Sequence, residues 1–82
     1  MNEKERRGQR AREIIEDPIF VEAWEAVERA AVEAMLAVPI DKASELQAHQ
    51  GRVLAIRGMR QELQTVIENG LAATRRANRD QA

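Results

Sequence analysis

Eighty-two residues allow one domain, and a chain this short buries only about 60–65% of the surface that its unfolded form exposes. The apolar share is 44%, yet fourteen of those residues are alanine, so few bulky side chains remain to oppose the entropy of ordering the chain. With no cysteine, a disulfide framework and a thiolate metal site are both excluded, and stability is expected to depend on association.

No apolar run approaches the ~18 residues of a membrane span, and the first residues lack a signal peptide's apolar region. A soluble, intracellular chain with no membrane contact is the expectation. The net charge of −1 conceals a strong asymmetry. Residues 1–12 carry five bases against two acids, and residues 13–33 carry seven acids against one base. Residues 34–69 balance, and 70–82 hold three bases against one acid. Basic ends around an acidic segment fit head-to-tail or antiparallel self-association as readily as a nucleic-acid arm.

Strand signals are missing, whereas helix signals are dense. Residues 1–16 read as a basic N-terminal arm with a short helix over "QRAREIIE", in which Ile14 and Ile15 are the only large apolar groups. Asp17 is a good N-cap, and Pro18 suits the first helical position, where its missing N–H costs nothing. The first long helix is predicted over 18–37. Phe20, Trp24, Val27, Ala31, Ala34 and Val38 follow spacings of four and three along it, which makes one apolar face. Glu25, Arg29 and Glu33 form an i,i+4 ladder on the other side.

Pro39 stops that helix. A second is predicted over 42–69, opened by Asp41 as N-cap or by Ser44 and Gln47 as a capping box, and closed by Asn69-Gly70 as a left-handed C-cap. A connection of a few residues implies antiparallel neighbours. The expected fold is therefore all-α: an antiparallel helical hairpin over 17–70 with a short N-terminal helix, completed by oligomerisation into a helical bundle. Residues 71–82, "LAATRRANRDQA", lack periodicity and read as a flexible basic tail. A hairpin folded about Val38 to Ile40 sets Phe20 and Trp24 opposite Ile56, Met59 and Leu63. The second helix then outruns the first, and Ile14 and Ile15 are placed to cover Val66 and Ile67. The candidate core or partner-helix residues are Phe20, Trp24, Val27, Ala30, Ala34, Ile56, Met59, Leu63 and Ile67.

Four features could carry function. Small residues line two strips: Ala23, Ala26, Ala30, Ala34 and Ala37 on the first helix, and Gly51, Ala55 and Gly58 on the second. A mid-helix glycine costs about 1 kcal/mol against alanine, so such strips suggest a docked partner helix, the bland reading being tolerated glycine on solvated surface. Arg52 and Arg60 fall on the apolar side of the second helix. Arg52 is a candidate for interface pairing, making Gly51, Arg52, Ala55 and Gly58 the candidate interface, whereas Arg60 reads as snorkelling. The single histidine, His49, has no carboxylate or cysteine at metal-ligand spacing. The basic ends, above all Arg6, Arg7, Arg10 and Arg12, could neutralise phosphates. Interleaved Glu3, Glu5 and Glu13 and the lack of a nearby aromatic favour a solvated arm instead.

Nothing supports catalysis: there is one serine, one histidine, no phosphate-cradling glycine loop and no paired-carboxylate pocket that this core could enclose. The chain reads as no enzyme and as needing no cofactor or metal.

"RAREIIEDPIFVEAWEAVE" resembles a pattern of small all-helical accessory proteins of tailed bacteriophages and prophages, often encoded near head and packaging genes. The matching residues are Arg10, Ala11, Arg12, Ile14, Ile15, Asp17, Pro18, Glu22, Ala23 and Trp24, then Pro39, Asp41, Glu68 and Gly70. The chain departs from that pattern at Gly51 and Gly58. The resemblance implies a phage accessory protein, cytoplasmic in the host cell or virion-associated. The expected function is a non-enzymatic assembly or interaction protein, a homo-oligomer that meets a phage structural or host protein. One alternative is a nucleic-acid-binding packaging or regulatory accessory using the basic N-terminal arm. Another is an inhibitor of a host defence complex, with Glu22, Glu25, Glu28 and Glu33 as an acidic face imitating phosphate.

Overall fold

Asp17-Pro18 divides the first half of the chain into two helices. In a computed structural model, which describes residues 1–81, α1 spans Glu3–Glu16, α2 Pro18–Leu36 and α3 Ala43–Gln81. Pro18 has no N–H to continue the ladder of α1, and the residue before a proline is pushed to extended backbone. Asp17 accordingly has ψ 124° and serves both helices. Its N–H donates to the Ile14 carbonyl at 3.2 Å, and its carboxylate accepts from the N–H groups of Ile19 and Phe20 at 2.8 and 3.1 Å. Among the described residues the chain is all-helical, with no strand.

At its other end, α1 starts earlier than expected. A helix was anticipated over 9–16 behind a loose arm, but it begins at Glu3. The Asn2 side chain accepts from the Glu5 N–H at 2.8 Å, and the Glu5 carboxylate accepts from the Asn2 N–H at 3.3 Å. This reciprocal capping satisfies two otherwise orphaned donors. α3 begins at Ala43, so Ser44 lies inside the helix and is not its N-cap.

The largest correction concerns the end of α3. Asn69-Gly70 does not terminate it, no glycine has positive φ, and residues 71–81 are helical rather than a loose tail. The reason is the neighbour. Gly8 of α1 and Gly70 of α3 press backbone on backbone: a Cβ on Gly8 would lie 2.9 Å from the Gly70 Cα, and one on Gly70 would lie 2.9 Å from the Lys4 carbonyl oxygen. Ala11 and Ala73, one turn onward in each helix, are buried with them, as is Ile67. Small side chains let the two helix axes approach closely, and the dispersion gained opposes the conformational cost of helical glycine. The Thr74 hydroxyl then ties the ends together, 2.9 Å from the Glu5 carboxylate and 3.1 Å from the Gly70 carbonyl.

α3 is the spine. Its 39 residues make a rod of about 58 Å, and the molecule measures 61 × 25 × 15 Å. α1 and α2 lie along it in succession, with Glu5 at Thr74, Gly8 at Gly70, Trp24 at Ile56 and Glu28 at Arg57. The buried apolar residues are Ala11, Ala31, Val53, Ile67 and Ala73, and no large side chain is wholly enclosed. The radius of gyration, 17.8 Å, exceeds the about 12 Å of a compact domain of this length.

Two predictions follow from these contacts. Gly8→Ala or Gly70→Ala forces backbone apart and should destabilise by about 1–3 kcal/mol. Gly51→Ala and Gly58→Ala, where a Cβ would meet nothing within 4 Å, should each stabilise by about 0.5–1 kcal/mol. Urea melts of the four variants read the contrast, and four equal shifts would remove the glycine contact as a determinant. The hydrogen bond from Thr74, with help from the Asn2 N–H, holds the Glu5 carboxyl below its ordinary range. A depressed folded-state pKa contributes stability above the unfolded value and loses it as pH falls through the carboxylate range. Thermal melts between pH 6 and pH 3 should therefore show a smaller acid loss for Glu5→Gln than for the parent chain.

Candidate interaction surface

The seam between α2 and α3 is an open groove and not a closed core. Phe20, Ala23, Trp24 and Val27 line it from α2, and Arg52, Ala55, Ile56 and Met59 from α3. Helical spacing explains the set: residues three and four apart on each helix share a face. Trp24 fixes the register, its indole N–H donating to the Ile56 carbonyl at 3.3 Å. The Arg60 guanidinium lies over the indole, 5.1 Å from the ring centroid, so this arginine makes a cation–π contact, where snorkelling was expected. Arg57 donates from Nε to the Glu28 carboxylate at 3.0 Å and closes the opposite side of the seam.

The anticipated core residues divide. Ile67 is buried, and Phe20, Trp24, Ala34, Ile56 and Leu63 are half-buried. Val27 and Met59 remain 54% and 52% exposed, and Ala30 is exposed, so these three are not interior within one chain. The two rings are thus walls of an open groove within one chain. The physical reason is depth: a layer of helices 15 Å thick has no third element to cover them.

The anticipated interface divides as well. Arg52 and Ala55 border the groove, whereas Gly51 and Gly58 face open space outside it. All four are exposed, and Arg52 makes no ion pair among the described residues. The Glu25, Arg29 and Glu33 ladder also forms no ion pair among them. Exposed apolar side chains continue beyond the groove, with Leu54 on α3, Leu36 at the end of α2 and Ile40, 92% exposed, in the connection. His49 is half-buried, its Nδ1 without a hydrogen-bond partner, and no group of three or more histidine or carboxylate side chains among the described residues could hold a metal ion. No helix is long and apolar enough to cross a membrane.

The arginines proposed for an arm sit on a docked helix. Arg6 and Arg10 pair with Glu3 and Glu13 at 3.8 and 3.0 Å, and Arg7 and Arg12 are exposed. The residues missed were Gly8 and Gly70. The signal was present as Gly-x-x-Ala at 8–11 and again at 70–73, a matched pair of small-residue faces. No protein-family model matches the chain, and neither a curated protein nor a solved structure matches it.

Trp24 joins two interactions whose loss can be separated. Trp24→Phe should cost about 1 kcal/mol for the lost hydrogen bond, and Arg60→Gln about 0.5–1 kcal/mol for the cation–π contact. In a double-mutant cycle of Trp24→Leu, which removes the ring itself, with Arg60→Gln, the two should not add; strict additivity would mean that the guanidinium merely overlies the ring.

Proposed function

We propose that this chain is a non-enzymatic helical assembly protein that self-associates through the apolar seam of α2 and α3. In this reading α2 and α3 are an antiparallel hairpin, α1 is its short N-terminal helix, and a second copy completes a helical bundle. One observation carries it. The chain exposes 6327 Å², whereas a folded monomer of 9.3 kDa exposes about 5,000 Å². The excess, roughly 1,300 Å², is more than the ~800 Å² that each partner contributes to a standard protein interface.

The chemistry of the seam supports a second copy as the occupant. The groove walls are apolar apart from Arg52, and the exposed Val27 and Met59 offer matching knobs for a copy related by a two-fold axis. The flanks are complementary in sign: α2 carries Glu22, Glu25, Glu28 and Glu33 against Arg29, while Arg52, Arg57 and Arg60 lie on the facing stretch of α3. Glu28 and Arg57 are already paired within the chain, which leaves Arg52 and the remaining glutamates to pair between chains and set register. The resemblance to small helical phage proteins supports a role in particle assembly or in binding a host protein, in the host cytoplasm or in the virion.

Sedimentation velocity tests the reading. At tens of micromolar the parent chain should sediment as a multiple of 9.3 kDa. Val27→Glu and Met59→Glu, both at exposed positions, should keep their helical circular dichroism and shift to the monomer. A parent chain that sediments as a single species of monomer mass and melts cooperatively would remove the proposal.

A further inference from the structure

The helical continuation of α3 past Gly70 builds a surface that neither end of the sequence holds alone. Arg79 stands four residues from Arg75 and three from Arg76, so it neighbours both on the helix surface, and the three line a shallow recess with Ala72 and Asn78. All three arginines are exposed and make no ion pair among the described residues. No carboxylate lies between Glu68 and Asp80 in the sequence. The close approach of Gly8 to Gly70, with the Lys4 carbonyl against Gly70, brings Lys4 and Arg7 to the same end of the molecule.

The acids of α1 at that end are engaged. Glu3 pairs with Arg6, and Glu5 with Thr74 and Asn2. Residues 1–12 and 70–81 together carry eight bases against three acids, while 13–69 carry eleven acids against five bases. One pole is therefore positive and the rest of the rod negative, so the molecule would approach a polyanion pole-first.

We propose that this pole, centred on Arg75, Arg76 and Arg79 and extended by Lys4 and Arg7, binds the phosphate backbone of double-stranded nucleic acid. The plainer reading is that the arginines complement the negative end of the α3 dipole, an effect confined to the last turn. Arg79 alone lies in that turn, which leaves Arg75 and Arg76 without such a role. Arg75 to Arg79 spans about 6 Å along the axis, so their guanidinium groups can reach separate phosphates of one strand, whose charges recur every ~3.4 Å along the duplex axis. The rigid helix has already lost the freedom that a loose tail would give up on binding. Both aromatic residues, Phe20 and Trp24, are in the seam, so no ring at this pole can stack an unpaired base, and a duplex is favoured over a single strand.

Fluorescence anisotropy with a fluorescein-labelled duplex DNA of arbitrary sequence tests this on the full chain. About four neutralised phosphates should weaken binding roughly 100-fold between 50 and 200 mM salt. Arg75→Gln/Arg76→Gln, which keeps Arg79 in the last turn, should lose at least about tenfold in affinity with unchanged circular dichroism. Lys4→Gln/Arg7→Gln should lose less, and Lys42→Gln, in the exposed connection between α2 and α3, should match the parent. Absent binding at 50 mM salt, binding indifferent to salt, or parental affinity in Arg75→Gln/Arg76→Gln would overturn the proposal. Binding to phosphatidylserine vesicles but not to the duplex would overturn it too. The test is separate from self-association: Val27→Glu should bind more weakly through lost avidity but with the same dependence on Arg75 and Arg76. A chain that assembles yet ignores DNA loses this inference alone.

Discussion

Two glycines in contact organise the molecule. At Gly8 and Gly70 the backbones of α1 and α3 meet with no side chain between them, and a single methyl group on either would collide with the other helix. Three consequences trace to that approach. Gly70 is held in helical conformation and does not end α3; Thr74 comes within reach of Glu5; and the two basic ends of the chain share one pole. Remove the contact, and α1 has only Ile14 and Ile15 as large apolar groups with which to hold the spine.

The two halves of the rod differ in how they are held. Towards the α1 end, packing is close, with Gly8, Ala11, Ile67, Gly70 and Ala73 all buried. Along α2 the contact is looser: Ala31 and Val53 are buried, but the larger side chains stay at the rim of an open seam. Trp24 compensates there through specific bonds, with a carbonyl as acceptor and a guanidinium on its face. The result is one end built for cohesion within the chain and a middle whose apolar surface is presented outward.

Much of the fold was legible in the residues. Asp17-Pro18 marks the break between helices because a missing N–H and a short carboxylate act locally, within three residues. The apolar spacing of Phe20, Trp24 and Val27 opposite Ile56 and Met59 also identified the residues that share the seam. What could not be read was depth. Spacing says which residues face one way, but not whether the chain itself or a partner helix covers them, and within one chain Val27 and Met59 stay half exposed.

Local chemistry therefore settled what short-range physics can settle: helical character, the Asp17-Pro18 break, the stop before Pro39 and the thinness of any interior. Asn69-Gly70 shows where that ends, because left to itself the dipeptide favours a helix terminus. Its preference is worth about 1 kcal/mol, and packing against another helix outweighs it. Only the tertiary arrangement decided that α3 runs on to Gln81, that Gly8 and Gly70 meet, and that bases from the two ends of the sequence share one end of the molecule. Those outcomes depend on contacts between distant residues, which no window of local sequence contains.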